Sequence, residues 1–311
     1  MEYRKLIKFG GSSYIITMPN SWLKKNKLNK GDTLFLEENG NNELIISTAV
    51  KSTEDGEKQI VIDATNKQID LLAREITFAY INNYKIIKII GKGVNERARE
   101  IREILNIYVG IEIDEQTDNC IISRDFTNIR EISVNNILRR MDFLIRTMIA
   151  DSKLTGKESL YISIYQRDID INKLFYLAQK RIKYGIESHE SSHSVEFLEL
   201  WELVRLLEQI ADETKRISRW LKDITLRKEE EKDLLAVYSE IEKFYLDVMT
   251  CYFKKDKKQS FLLLPKKITL INKTMEFLEK HYKKIGLANL VEKFNSIIVN
   301  AHNINKLNQI S

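Results

Sequence analysis

Hydrophobic positions change their spacing twice along the 311 residues, dividing the chain into three textures. Over residues 1–50 the apolar residues fall in short runs broken by turn formers: Tyr3 to Phe9, Gly10-Gly11, then Ser12 to Met18. Such runs, bounded by glycine and proline, predict strands. Pro19-Asn20-Ser21 opens a brief helix through Trp22-Leu23-Lys24-Lys25, because the missing proline N–H costs nothing at a helix start. After a turn at Leu28-Asn29-Lys30-Gly31-Asp32, the runs Thr33 to Glu37 and Glu43 to Thr48 read as a hairpin around Asn39-Gly40-Asn41-Asn42. Leu34 and Leu36 share a face there that Leu44 and Ile46 can meet. A domain of about 50 residues has a thin core for a lone monomer, so this one is expected to need a partner chain.

Residues 59–125 alternate between the two periods. Ile60 to Ile62 is strand-like; Ile69, Leu72, Ala73, Ile76, Ala79 and Tyr80 follow at helical spacing. Lys85 to Ile90 is a strand, Ala98 to Leu105 a helix, and Ile111 to Ile113 and Cys120 to Ser123 two further strands, making a small α/β module. From residue 128 onward the chain is helical almost throughout. Leu200, Leu203, Leu207, Ile210, Thr214, Ile217 and Leu221 keep the alternating three-and-four spacing of a bundle seam, and Leu290, Phe294, Ile297, Ala301 and Ile304 repeat it. Two three-helix units follow, about 127–226 and 227–311, with Leu207–Asp212 standing where Phe294–Val299 stands. The expected fold is mainly α: tandem three-helix bundles, an N-terminal β-hairpin domain (1–50) and a central α/β module (51–126), with the bundles over 127–311.

Composition supports long helices, since the chain has only two prolines and 11 glycines, with 43% apolar and 31% charged residues. Cys120 and Cys251 stand apart and form neither a ligand spacing nor a disulfide framework, which fits a reducing interior. No apolar run approaches the roughly 18–20 residues that span a bilayer, and the start lacks a signal-peptide core, so a cytoplasmic protein without membrane insertion is expected. The net charge of +5 is mild, but it is clustered. Between Met1 and Lys30, seven basic residues (Arg4, Lys5, Lys8, Lys24, Lys25, Lys27, Lys30) face Glu2 alone, a local net of +6. Clustering of this kind is the electrostatic footprint of a nucleic-acid partner. A second basic run, Lys254, Lys255, Lys257 and Lys258, reads as a solvated loop between helices.

Two short motifs suggest chemistry that their surroundings do not support. His189-Glu190-Ser191-Ser192-His193 fits the zinc-hydrolase pattern, which needs both histidines on one helical face. Serine-rich and preceded by Gly185, it reads as a loop or helix cap ahead of a helix starting near Val195. Gly91-Lys92-Gly93 lacks the spacing of a phosphate loop or a dinucleotide fingerprint and reads as a tight turn. No nucleophile–base pair stands out, so no catalytic residue and no enzymatic activity are expected.

The N-terminal residues Lys8-Phe-Gly-Gly-Ser-Ser-Tyr-Ile-Ile-Thr-Met-Pro19, Trp22-Leu23 and Leu28-Asn-Lys-Gly-Asp32 resemble the AbrB/MazE/SpoVT swapped-hairpin family over residues 2–48. That resemblance implies an intertwined homodimer that binds double-stranded DNA through Arg4, Lys5, Lys8, Ser12, Ser13, Lys24 and Lys25. In the helical part, Leu207-Glu-Gln-Ile-Ala-Asp212 and Asp168-Ile-Asp-Ile-Asn172 resemble the paired acidic motifs of the PhoU family, by pattern more than by identity. Glu208 and Asp212, one turn apart, can converge on one site. The PhoU resemblance implies metal binding by Asp168, Glu208 and Asp212, as a single divalent or ferric ion in the first repeat. The second repeat has Ile268, Asn272, Asn295 and Val299 at the corresponding places, so a multinuclear site there is lost. The competing reading of the same acids is a charged bundle surface, with Glu208 or Asp212 paired to Arg205 or Arg216.

Together the two resemblances look like an archaeal-type phosphate uptake regulator. They imply a dimeric DNA-binding regulator whose bundle is a sensor or docking surface. The alternative is a docking protein that regulates a phosphate transporter or sensor kinase without touching DNA.

Overall fold

The structure is a computed structural model and describes residues 3–38, 44–48, 57–154, 158–188 and 194–310. His189 and His193, and the turn at Asn39–Asn42, lie outside the described residues. The chain divides into two compact units, Met1–Gly56 and Glu57–Ser311. The α/β module and the bundle, expected as separate domains, therefore fall in one unit.

The first unit consists of two antiparallel hairpins and a short helix. β1 (Ile7–Phe9) pairs with β2 (Ser13–Ile15), with Ile7 opposite Ile15, Lys8 opposite Tyr14 and Phe9 opposite Ser13. The strands are shorter than the apolar runs predicted. The turn between them uses Gly10 at φ +70°, a left-handed conformation that glycine adopts without steric cost. Pro19 is the N-cap of α1 (Asn20–Lys25), as its position in the sequence predicted. β3 (Phe35–Glu38) pairs with β4 (Leu44–Ser47), and Leu36 stands directly opposite Ile46.

The second unit opens with a four-stranded sheet in the order β5-β6-β8-β7, from β5 (Gln59–Asp63), β6 (Ile86–Ile90), β7 (Ile111–Thr117) and β8 (Cys120–Asp125). β5 and β6 run parallel, joined by α2 (Ile69–Ile81); the other pairs are antiparallel. α2 and α3 (Ala98–Leu105) bury Leu72, Ile76, Ile101 and Leu105 against Ile62, Ile87, Ile89 and Ile121. Gly91, at φ +138°, packs so closely against Thr65 that a Cβ would lie 2.6 Å from its hydroxyl, so this tight turn leaves no room for a side chain at Gly91.

The bundle has α4 (Val134–Ser152), α5 (Glu158–Glu187) and α6 (Ser194–Asp223), followed by α7 (Lys228–Lys254), α8 (Lys257–Leu263), α9 (Lys266–Lys280) and α10 (Leu287–Ile310). The repeat read from the sequence is present, except that the middle helix of the second set is broken at Leu264-Pro265. Proline removes an amide donor and crowds the preceding turn, so the break falls where the chain chemistry puts it. Every seam position from Leu203 to Leu221 is buried, and so is each from Leu290 to Ile304. Truncating one of these leucines would cost roughly 2–5 kcal/mol.

Two expectations need correction. Lys254 ends α7 and Lys257 and Lys258 begin α8, with Asp256 capping α8 at the amide of Gln259 (3.0 Å); of that basic run Lys255 alone lies between the helices. Gly185 is inside α5, where a Cβ would meet the Phe197 ring at 2.4 Å; it is a close-packing glycine rather than the start of a loop.

Candidate nucleic-acid interface

All seven residues assigned to DNA contact are exposed. Arg4 and Lys5 lead into β1, Lys8 lies within it, Ser12 is in the glycine turn and Ser13 begins β2. Lys8 shares a face of the hairpin with Tyr14, while Ile7, Phe9 and Ile15 share the other. Lys24 and Lys25 form the last turn of α1, where cations are favoured by the partial negative charge of the helix end. Cations, hydroxyls and backbone amides of this kind contact phosphate oxygens and set register on a duplex.

What the first unit lacks is an interior. None of its described residues is buried. Tyr3 is 86% exposed, Leu6 70%, Phe9 66%, Tyr14 64% and Leu36 63%, and Ile7, Ile15, Ile16 and Leu44 are exposed as well. Apolar surface of this extent on so short a chain is not compatible with a stable isolated fold.

The acids assigned to a metal sit elsewhere, between α5 and α6, and the structure places a protein cation among them. Lys215 Nζ is 2.8 Å from Asp168 Oδ2 and 2.9 Å from Asp212 Oδ1, and Arg216 Nη2 is 2.7 Å from Asp212 Oδ2. Asn172 donates to Asp168 at 3.4 Å. Burial raises the Asp168 carboxyl above its ordinary range, although Lys215 pulls the other way. Burial, then the charges of Asp212 and Asp168, raise Glu208 as well. Lys215 is held up by both aspartates against the opposing effect of burial, so it remains a cation. Among the described residues no group of three or more His, Cys, Asp or Glu side chains is placed to hold a metal ion. The donor set fits an ammonium ion supplied by the protein and does not fit a free metal ion. Of the pairings expected for the charged-surface reading, Asp212–Arg216 is present, whereas Arg205 bonds Glu202 (2.5 Å).

In the second repeat, Ile268 and Asn272 are exposed, away from the seam. The residue of α9 that faces Asn295 is Thr274, whose hydroxyl donates to Asn295 Oδ1 at 2.7 Å. Reading Ile268 and Asn272 as the counterparts of the first-repeat acids placed them on the wrong side of the helix, because the break at Pro265 shifts the phase.

A buried group that no motif announced joins the sheet to the bundle. Lys180 of α5 and Asp125 at the end of β8 form an ion pair in which both side chains have 0% exposure. Asp125 also accepts bonds from the Thr127 amide (2.9 Å) and hydroxyl (2.5 Å), with Lys85 Nζ at 3.4 Å. Burial alone would raise the Asp125 carboxyl, but Lys180 and Thr127 hold it below the ordinary carboxylate range. The Lys180 ammonium also stands 4.2 Å from the centre of the Tyr80 ring, and a run of rings continues from Tyr80 to Tyr108 (4.7 Å) and Tyr176 of α5 (5.4 Å). A buried lysine in an otherwise amphipathic helix gives no periodic signal, which is why the sequence did not reveal it.

Comparison with known proteins agrees with the reading of the first unit. Residues 7–62 match the model for "Antidote-toxin recognition MazE, bacterial antitoxin", the class of swapped-hairpin domain to which the first unit is similar. No curated protein matches the chain. Among solved structures, PhoU from Pseudomonas aeruginosa is similar at 14% identity and a TM-score of 0.49, covering 56% of this chain and 93% of that one. The hairpin unit is thus similar to a MazE-type antitoxin domain.

Proposed function

We propose that this protein is a dimeric DNA-binding transcriptional regulator of phosphate uptake or phosphate signalling, with the helical unit as its sensor or docking surface. Two copies of the hairpin unit would interlock, each giving the other the interior it lacks, and would present Arg4, Lys5, Lys8, Ser12, Ser13, Lys24 and Lys25 to duplex phosphates. The observation that carries this reading is the first unit's combination of a +6 basic cluster with exposed apolar strands and no buried residue among those described. The phosphate link rests on the motif resemblance of the helical part. A signal bound by the helical unit would act by favouring one dimer geometry over another, and so one operator affinity.

The test is capture of genomic duplex DNA by the full chain, followed by anisotropy titration at several salt concentrations. Five basic side chains per copy give ten per dimer. If all reach phosphates, log K should fall with log salt at a slope of about −9. Removing residues 1–50 should abolish DNA binding, weaken dimerisation and leave the helical unit folded. Undiminished DNA binding by the truncated chain would refute the assignment; a full chain that binds no duplex but retains a transporter or kinase partner would establish the docking-protein alternative.

A further inference from the structure

We infer that the open edge of β5 is an interface with a second copy of this chain, in which the two β5 strands pair antiparallel about Val61 and join their sheets into one. The inference rests on the dimer proposed above only for the closeness of the two copies.

The first observation is the unequal treatment of the two sheet edges. β7 forms one edge, and it carries Glu112, Asp114 and Glu115 together with a register shift between Ile113 and Glu115. Charges and bulges are the devices that keep an edge strand from pairing with another chain. β5 forms the other edge with the sequence Gln-Ile-Val-Ile-Asp, which has no glycine, proline or lysine and pairs with β6 without a register shift. Val61, at its centre, is 54% exposed. A regular, β-branched edge of this kind is a template for a further strand.

The second is the direction of the unused backbone groups. The Lys58 carbonyl accepts from the Lys85 amide (2.7 Å), and the Ala64 amide donates to the Ile90 carbonyl (2.7 Å), both on the side of β6. Backbone direction alternates along a strand, so Lys58, Ile60, Ile62 and Ala64 bond toward β6. The N–H and C=O of Gln59, Val61 and Asp63 therefore point outward, and among the described residues β6 is the only strand paired with β5. An antiparallel partner centred on Val61 sets Val61 opposite its own copy and Gln59 opposite Asp63. Each outward group then has a partner, whereas a slip by two residues leaves some of them bare. Opposed residues lie on the same face of their own strands, so α2 and α3 of both copies cover one side of the joined sheet.

The third is that the strand is its own complement. In this register Val61 meets Val61, and the Gln59 amide, a donor, meets the Asp63 carboxylate at both ends of the pairing. An unrelated peptide has no reason to match that pattern; a second copy matches it by symmetry. One strand pair is small for a stable dimer, but β5 begins three residues after Gly56, where the hairpin unit ends. A dimer made through the hairpin unit would hold the two β5 strands at high effective concentration.

The experiment is disulfide trapping in the full chain, with Cys120→Ser and Cys251→Ala removing the native thiols, and with hydrogen exchange of the unaltered chain alongside. Opposed residues in this register have Cα atoms about 5.5 Å apart, inside the disulfide range of about 4.4–6.8 Å. Val61→Cys should therefore form a covalent dimer under mild oxidation. Gln59→Cys, roughly 15 Å from its own copy, should do so at least about tenfold more slowly, and should link instead to Asp63→Cys when the two variants are mixed and allowed to exchange. In the unaltered dimer the amides of Gln59, Val61 and Asp63 should exchange slowly. Val61→Pro, tolerated because that N–H faces away from β6, should free the other two. Absence of Val61 trapping, equal trapping at Gln59 and Val61, or fast exchange of those amides in a dimer overturns the inference. Duplex binding is measured on the same samples. Val61 trapping without DNA binding would remove the DNA-binding reading and leave this interface; DNA binding by a dimer that shows no Val61 trapping would do the opposite.

Discussion

Substituting Asp125→Asn should be among the most damaging single changes in the second unit, and more damaging than Lys180→Met. The asymmetry follows from what each leaves behind. Without the Asp125 charge, Lys180 retains only the Thr127 hydroxyl at 3.3 Å and the Tyr80 ring at 4.2 Å, with no access to water. Stranding one member of a buried pair costs about 3–5 kcal/mol. At roughly 2–4 °C per kcal/mol for a unit of this size, the melting temperature should fall by about 6–20 °C. Without Lys180, Asp125 keeps both Thr127 bonds and Lys85, so the cost should be nearer 2–3 kcal/mol. The double variant should lose less than the sum, with a coupling of about 1.5–3 kcal/mol. Because the folded-state pKa of Asp125 is depressed, its contribution is fully present above the unfolded value of about 3.9 and is lost as pH falls through the folded value. Thermal and urea unfolding followed by circular dichroism, at neutral pH and in a series down to acid, measures all of this. Two small, additive effects with no difference in acid sensitivity would refute the buried-pair account.

Lys215→Gln should destabilise the fold by about 1–3 kcal/mol, since it leaves buried Asp168 with Asn172 as its hydrogen-bond partner, and should raise divalent-ion affinity above the parent's; calcium or manganese that raises the melting temperature of parent and variant equally would count against it. Glu208→Gln should stabilise at neutral pH by up to about 1 kcal/mol. The folded pKa of Glu208 is raised, so the parent loses stability as pH climbs through it and the variant should not; identical pH profiles would contradict that assignment. Replacing His189 and His193 with alanine should leave metal content unchanged, and stoichiometric zinc that disappears in the double variant would reverse the loop reading.

Much of the fold was legible because one stripe per helix enters the core. The seams at Leu203–Leu221 and Leu290–Ile304 gave position, length and repeat from spacing alone. The same logic failed where a helix is interrupted: the break at Pro265 changes which residues face α10, so Thr274, not Asn272, meets Asn295. Acidic pairs were visible, but Lys215, on the helix that carries Glu208 and Asp212, was not read as their counter-ion. Sequence periodicity places residues on a face and leaves open which charges on that face meet. Lys180 was hidden for a related reason, since a lone lysine among polar neighbours looks like solvent-facing charge until Asp125 is brought to it from the sheet.

The missing interior of the hairpin unit has a genetic consequence. In the proposed dimer, each copy's fold depends on apolar residues such as Leu6, Ile7, Phe9 and Leu36, whereas duplex contact depends on Arg4, Lys5 and Lys8. A chain stripped of those cations but with its apolar strands intact would still be accepted as a partner by a normal copy. Every such mixed pair would lack the Arg4, Lys5 and Lys8 contacts of one copy. An excess of the altered chain would therefore draw most of the normal copies into weakened pairs, and the defect would act dominantly.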